Sequence, residues 1–333
     1  MTPGKKKRAR EYMPNTVVDA QHHDSVEIPP PFSIKISRSY EARFMIASLS
    51  VRSIHCSVPP DMKRYRVLAF SFDTRAVTLA TEIQDGWETH VKALWLTNQS
   101  RTREGLVHVF GAAKYEQKIK NFVDLGANPM SLLSFHNEFL SQCRNSFVHG
   151  SYYPALVSAC TLAERMLNRL ILHLRDYFKS TPQYKKVYRK ESFDNWQYAV
   201  ETLQSWGVLL REPAQEFLRL ESLRNSSIHF NPETDENARE LALEAIKSVQ
   251  FIVEKQFSAF GLQPWYIPGA KGAAYVAKAY ESEPFVKEVV LPSCRLVGPQ
   301  HRLEHGAGGW IVHDDHEYED REISDEEFLS LIR

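Results

Sequence analysis

Residues 220–232, LESLRNSSIHFNP, decide how the rest of the chain is read. The segment places a permanent cation, Arg224, and a titratable imidazole, His229, with four residues between them and Asn225 beside the arginine. On an unbroken helix, successive residues turn by about 100°, which would leave the two side chains roughly 140° apart. Pro232 works against that continuation, because its ring offers no N–H and pushes Asn231 towards extended geometry. The helix is therefore expected to fray over 228–231, so that His229 swings back towards the side that carries Arg224. A guanidinium and an imidazole converging at a helix end suit work on a phosphodiester. The competing reading is a helix-end arginine with an unrelated imidazole that caps carbonyls.

Outward from this segment, the reading is helical from Ala113 onward. The spacing predicts a helix over 131–148 with Leu132, Phe135, Phe139, Cys143 and Phe147 on one stripe, ended by Gly150. Tyr152-Tyr153-Pro154 opens the next, over 154–178, with Leu156, Ala159, Ala163, Met166, Leu170 and Leu174 at three- and four-residue intervals. A helix over 193–206 uses Trp196, Ala199, Val200, Leu203 and Trp206 and stops at Gly207. The helix of the opening segment spans 213–229 on Phe217, Leu220, Leu223 and Ile228. Asp235 is the expected N-cap of a last helix that faces Ala238, Leu241, Ala245, Val249, Ile252 and Val253 inward. Short connections between such helices argue for an antiparallel bundle.

The flanks read differently. Residues 1–25 form a basic tail with Lys and Arg concentrated over 5–10, which needs no role beyond a solvated, disordered end. Residues 26–112 are expected to make a small α+β module. Strands are predicted at 32–36, 44–51, 67–72 and 106–111, and helical spacing over 73–95 is broken at Asp85-Gly86. The final residues, 261–333, leave the helical pattern. Strands are expected at 285–291, 294–297 and 310–312, followed by an acidic helix capped by Ser324, and this appendage is expected to pair with strands of the N-terminal module.

Composition bounds the function. The Lys plus Arg and Asp plus Glu counts are equal at 41, so no overall positive field draws in nucleic acid, and such binding has to be local or created by assembly. Hydrophobic residues at 43% and charged residues at 25% are those of a soluble globular protein. No apolar run approaches the roughly 20 residues that span a bilayer, and the basic start has no apolar run behind it, so neither a membrane nor secretion is expected. Cys56, Cys143, Cys160 and Cys294 include no CxxC pair, and Cys143 and Cys160 fall in apolar helical patterns. Reduced, buried thiols and a cytoplasmic location follow.

The order "amphipathic helix, Gly150-Ser151-Tyr152-Tyr153-Pro154-Ala155, long helix with Ala163-Glu164, helix, Leu223-Arg224-Asn225 … His229" resembles the HEPN superfamily over about residues 130–258. The signature of that family is an arginine followed four to six residues later by histidine, with a polar neighbour to the arginine; here it is Arg224-Asn225-Ser226-Ser227-Ile228-His229. The resemblance implies an all-α bundle, and with the flanking segments the expected class is α+β overall, with a central HEPN-like bundle over 113–260. It implies metal-independent endoribonuclease activity without a cofactor, in a toxin or antiviral-defence setting with an antitoxin or defence partner. In that reading His229 moves the proton, Arg224 holds the scissile phosphate, and Asn225 orients either. The ribose 2′-OH is then the internal nucleophile. One motif supplies one histidine whereas the reaction needs a base and an acid, so the resemblance also implies a homodimer with two motifs facing each other. Glu164 is expected to reach the motif from the second helix; a salt bridge with Arg165 or Arg169, or plain exposure, is the other reading. The runner-up function is a non-catalytic HEPN protein that binds RNA, nucleotide or a partner protein through the same groove.

Two further constellations compete. Arg144-Asn145-Ser146-Phe147-Val148-His149 repeats the spacing at the end of the first bundle helix, either as a second half-site built on Arg144 and His149 or as coincidence. His313, Asp315 and His316, with acidic neighbours through Asp320, form the best metal-like cluster, which would support a metal-dependent hydrolase. No HExxH spacing accompanies them, and the glycine-rich 305–309 lacks the lysine of a phosphate loop.

Overall fold

One helix, apolar over most of its circumference, gathers the other main helices around it. This computed structural model describes residues 62–68, 70–227, 236–306 and 309–332. All of them fall within one unit, Cys56–Arg333. The basic tail and the strands expected at 32–36 and 44–51 lie outside the described residues.

In chain order the first elements are strands β1 (Arg64–Val67) and β2 (Phe70–Asp73) and helices α1 (Arg75–Ala80), α2 (Thr89–Phe110) and α3 (Tyr115–Leu125). Strand β3 (Asn128–Leu132) precedes the main helices α4 (Phe135–Val148), α5 (Tyr152–Leu174), α7 (Trp196–Ser205), α8 (Arg211–Ser227) and α9 (Ala238–Gln256), with the one-turn α6 (Tyr184–Val187) between α5 and α7. Strands β4 (Cys294–Val297), β5 (Arg302–Gly306) and β6 (Gly309–His313) and helix α10 (Asp325–Leu331) complete the chain. The class is α+β, with helix predominant.

Helix α5 is the central one. Leu156, Ala159, Cys160, Leu162, Ala163, Met166, Leu167, Leu170, Ile171 and Leu174 are all buried, and the helix packs against α4, α7, α8 and α9. Its entry is set by the α4–α5 turn. Ser151 N–H reaches back to Ser146 C=O at 2.9 Å and Gly150 N–H to Phe147 C=O at 2.9 Å, around Gly150 at φ +81°. That positive φ is costly for any residue with a Cβ, which is why glycine ends α4. Pro154 then falls in the first turn of α5, where its missing N–H is harmless. Asn121 of α3, fully buried, seals the turn by donating to Phe147 C=O (3.1 Å), Val148 C=O (3.3 Å) and the Tyr152 hydroxyl (3.1 Å).

The strands form three small antiparallel pairs. β1 runs beside β4, with Arg64 opposite Val297 and Val67 opposite Cys294, so the two ends of the described chain are paired as expected. β2 pairs with β3, and β5 with β6, where Arg302 faces His313. The last helix, α10, is held against β1 by Arg64, which is 1% exposed. Its Nε donates to Asp325 Oδ1 at 2.5 Å and an Nη to Ile323 C=O at 2.6 Å. Ser324 caps α10 by accepting from Glu327 N–H.

Several sequence expectations need correction. Residues 106–110 belong to α2 and Gly111 caps it, so no strand forms there. LVHVF satisfies both an alternating and a four-residue pattern, and burial of Leu106 with Phe110 selects the helical one. Residues 285–291 are not a strand either. Val286–Val290 forms a turn of π type followed by a 3-10 turn at Leu291–Ser293, with Val286 and Val290 buried on one side and Pro292 unable to donate to a ladder. The helix expected from 131 starts at Phe135, because residues 128–132 pair with β2 and Ser134 N–H is satisfied by Asn137 Oδ1 at 2.6 Å. Asp235, the expected cap of α9, lies outside the described residues.

Candidate functional site

Two serine hydroxyls turn back onto the last turns of α8. Ser226 Oγ donates to Leu223 C=O at 3.0 Å, and Ser227 Oγ donates to the same carbonyl. Serine hydroxyls that bond back to the helix compete with its ladder and bend it. Arg224 lies just upstream, one-third exposed, and is held from three directions. Its Nη2 is 3.3 Å from Glu164 Oε2 of α5. Its Nη1 donates to Asn225 Oδ1 at 3.4 Å, and its guanidinium lies 5.9 Å from the Trp196 ring centroid at the start of α7. The Trp196 indole N–H in turn donates to Glu164 Oε2 at 3.3 Å.

Three helices thus converge on one guanidinium. With Arg224 at 32% and Glu164 at 33% side-chain exposure, the ion pair is well solvated and contributes at most about 1 kcal/mol to stability. Its main effect is orientation. Of the sequence-predicted residues, Arg224, Asn225 and Glu164 are brought together, while His229 lies outside the described residues. Glu164 takes neither alternative partner, because Arg165 and Arg169 lie over the rings of Phe139 and Phe135, each at 4.7 Å. Trp196, read from the sequence only as a core residue, is part of the site; at 1% exposure its packing role hid the polar one.

The repeated spacing on α4 is placed quite differently. Arg144 is 6% exposed, donates to Gln250 Oε1 of α9 and gives its Nη2 to Gly126 C=O at 2.8 Å. Burial pushes its pKa down to about 10, although nearby Asp73 opposes the shift. His149 is exposed beyond the end of α4, edge-on to Phe110 at 5.9 Å. One side chain of this copy is therefore committed to the core and the other to the surface.

A different imidazole is buried. His136 of α4 is completely enclosed, its ring 4.7 Å from that of Phe257 and tilted against it, with neither ring nitrogen hydrogen-bonded among the described residues. Desolvation pushes its pKa down to about 3, so it stays neutral at pH 7 and cannot serve as an acid there. The thiols of Cys143, Cys160 and Cys294 are unpaired and buried, and burial pushes each up to about 12.

His313, Asp315 and His316 line a shallow depression together with Gln300 and Arg302. His313 Nε2 is 3.0 Å from Glu304, and His316 stacks edge-on to Tyr318 at 5.0 Å. Arg302 in the same depression opposes a bound cation. Among the described residues, no group of three or more His, Cys, Asp or Glu side chains is placed to hold a metal ion. None of the helices among the described residues is long and apolar enough to cross a membrane.

No protein-family model matches the chain, and no curated protein or solved structure matches it either.

Proposed function

We propose that the chain is a HEPN-type endoribonuclease that cleaves RNA without a metal ion, with Arg224, Asn225, Glu164 and His229 as its working residues. The observation that carries this reading is the convergence of Glu164, Trp196 and Asn225 on Arg224 near the end of α8, five residues before His229. A guanidinium oriented by a carboxylate on one side keeps its remaining N–H groups for phosphate oxygens.

In the proposed reaction the ribose 2′-OH attacks the adjacent phosphorus. A neutral imidazole takes the hydroxyl proton, the P–O5′ bond breaks, and an imidazolium returns a proton to the leaving O5′. The products are a 2′,3′-cyclic phosphate and a free 5′-OH, and Arg224 balances the charge that builds on the phosphorane. Two imidazoles are required, so a second copy of the chain supplies the other His229. A toxin or antiviral-defence role accompanies this reading.

The runner-up, a HEPN protein that binds without cutting, is favoured by one observation: the Arg224 charge is already partly balanced by Glu164. The test is incubation of purified protein with RNA in EDTA and analysis of the new ends. Cyclic phosphate ends are expected. Binding without cleavage would favour the runner-up, and cleavage that needs added metal would overturn the mechanism.

A further inference from the structure

The link between α5 and α7 departs from the charge balance of the chain. Residues 175–191 hold six Lys or Arg against two Asp or Glu, and 184–190, YKKVYRK, contain no acid at all. Arg175 at the end of α5 donates to Val187 C=O (2.9 Å) and Lys190 C=O (2.6 Å), and Val187 is fully buried. The backbone of the link is therefore fixed, while Lys185, Lys186, Tyr188, Arg189 and Lys190 are all exposed, with Lys186 Nζ 5.4 Å from the Tyr198 ring centroid. No carboxylate of the described residues pairs with any of these four cations.

Aromatic rings are interleaved with the charges. Tyr184 and Tyr188 stack on each other with centroids 5.7 Å apart and planes 30° apart, and the Arg189 guanidinium covers the Tyr188 ring at 5.0 Å. Tyr188 remains 41% exposed even with these two neighbours. Cations without carboxylate partners, interleaved with partly exposed rings, have the composition of a single-stranded nucleic-acid platform, in which lysines follow the phosphates and rings stack on bases. A lipid surface would instead call for protruding aliphatic or Trp side chains, and 184–190 present none.

A relay of contacts connects the platform to the helix that carries Glu164. Lys190 Nζ lies over the Phe193 ring at 5.7 Å, Phe193 N–H donates to Asn168 Oδ1 at 2.6 Å, and Asn168 Nδ2 donates to Glu164 C=O at 2.9 Å. Glu164 is the partner of Arg224. We infer that residues 184–190 form a docking surface for single-stranded RNA, along which the strand passing Arg224 continues. The inference deepens the ribonuclease reading by giving its substrate class, and it rests on that reading for the direction of the strand only.

The experiment measures fluorescence anisotropy of a labelled 12-nucleotide oligouridylate with the full-length chain carrying His229→Ala, in EDTA, over a salt series. Each cation that meets a phosphate on a single strand adds about 0.7 to the salt slope, so a triple K185Q/K186Q/R189Q variant should lower the slope by about 2. Tyr188→Ala should weaken binding roughly tenfold, through the lost stacking. Circular dichroism melting checks that the variants fold. An unchanged Kd and slope in the triple variant would overturn the inference, as would patch-dependent binding to phosphatidylserine vesicles with none to the oligonucleotide. A parallel cleavage assay with His229 restored separates the two claims. Patch-dependent binding without cleavage leaves the inference standing and removes the ribonuclease reading. Cleavage with an unchanged KM in the triple variant does the reverse.

Discussion

Residues 144–149 and 224–229 spell the same pattern, Arg-Asn-Ser, two apolar or small residues and His, yet the protein uses them in opposite ways. On α4 the arginine turns inward and is consumed by Gln250 and the Gly126 carbonyl, while its histidine is left in solvent. On α8 the arginine stays at the surface and is oriented by Glu164, Asn225 and Trp196. The difference is one of helix phase. Arg144 follows buried Cys143 and precedes buried Phe147 and Val148, on a helix wrapped by α3, α5 and α9. Arg224 lies beyond Leu220 on a partly exposed stretch, followed by exposed Asn225 and Ser226. Spacing alone makes two motifs equal; burial separates them.

The largest expected contrast in stability is between the two arginines. Arg144→Ala takes the arginine donors away from Gln250 Oε1 and the Gly126 carbonyl inside the fold, which should cost about 2–4 kcal/mol. Arg224→Ala should cost less than about 1 kcal/mol, because its ion pair is solvated. Urea unfolding of both variants checks this, and equal losses would break the comparison.

Acid sharpens it next. His136 is depressed to about 3 in the fold and has an ordinary value of 6.5 when unfolded. Between those values the unfolded chain binds the extra proton, so stability is full above about pH 6.5 and falls as pH drops through that window. The slope from this one group approaches about 1.4 kcal/mol per pH unit. His136→Phe should flatten the fall in urea midpoint between pH 7 and pH 5; an equally steep fall would place the acid sensitivity elsewhere.

The smallest effect belongs to the pair at the site itself. A double-mutant cycle of Glu164→Gln and Arg224→Gln should give a coupling in unfolding free energy below about 1 kcal/mol. A larger value would mean that the pair is built for stability rather than for a ligand.

Much of the fold was legible because periodicity and punctuation agreed. The α5 stripe, Gly150, Pro154 and Gly207 each carry a local physical cause that the sequence displays. Where one run satisfied two periods, as at 106–111 and 285–291, only tertiary burial decided, and the strand expectation failed. Within the site, Arg224, Asn225 and Glu164 were found from spacing and resemblance. Trp196 was hidden because a buried indole reads as packing, and nothing local signals that its N–H serves a carboxylate 32 residues earlier. The buried His136 and Asn121 were missed for the same reason: polar residues inside a core are set by long-range partners and packing that no periodicity records.

One measurement bears on the whole account most directly: the rate of RNA cleavage in EDTA by His229→Ala beside His149→Ala, both shown to be folded. The α8 copy as the working one predicts a loss of at least about 100-fold for His229→Ala and an unchanged rate for His149→Ala. Cleavage that survives in His229→Ala, or that disappears in His149→Ala, would contradict it.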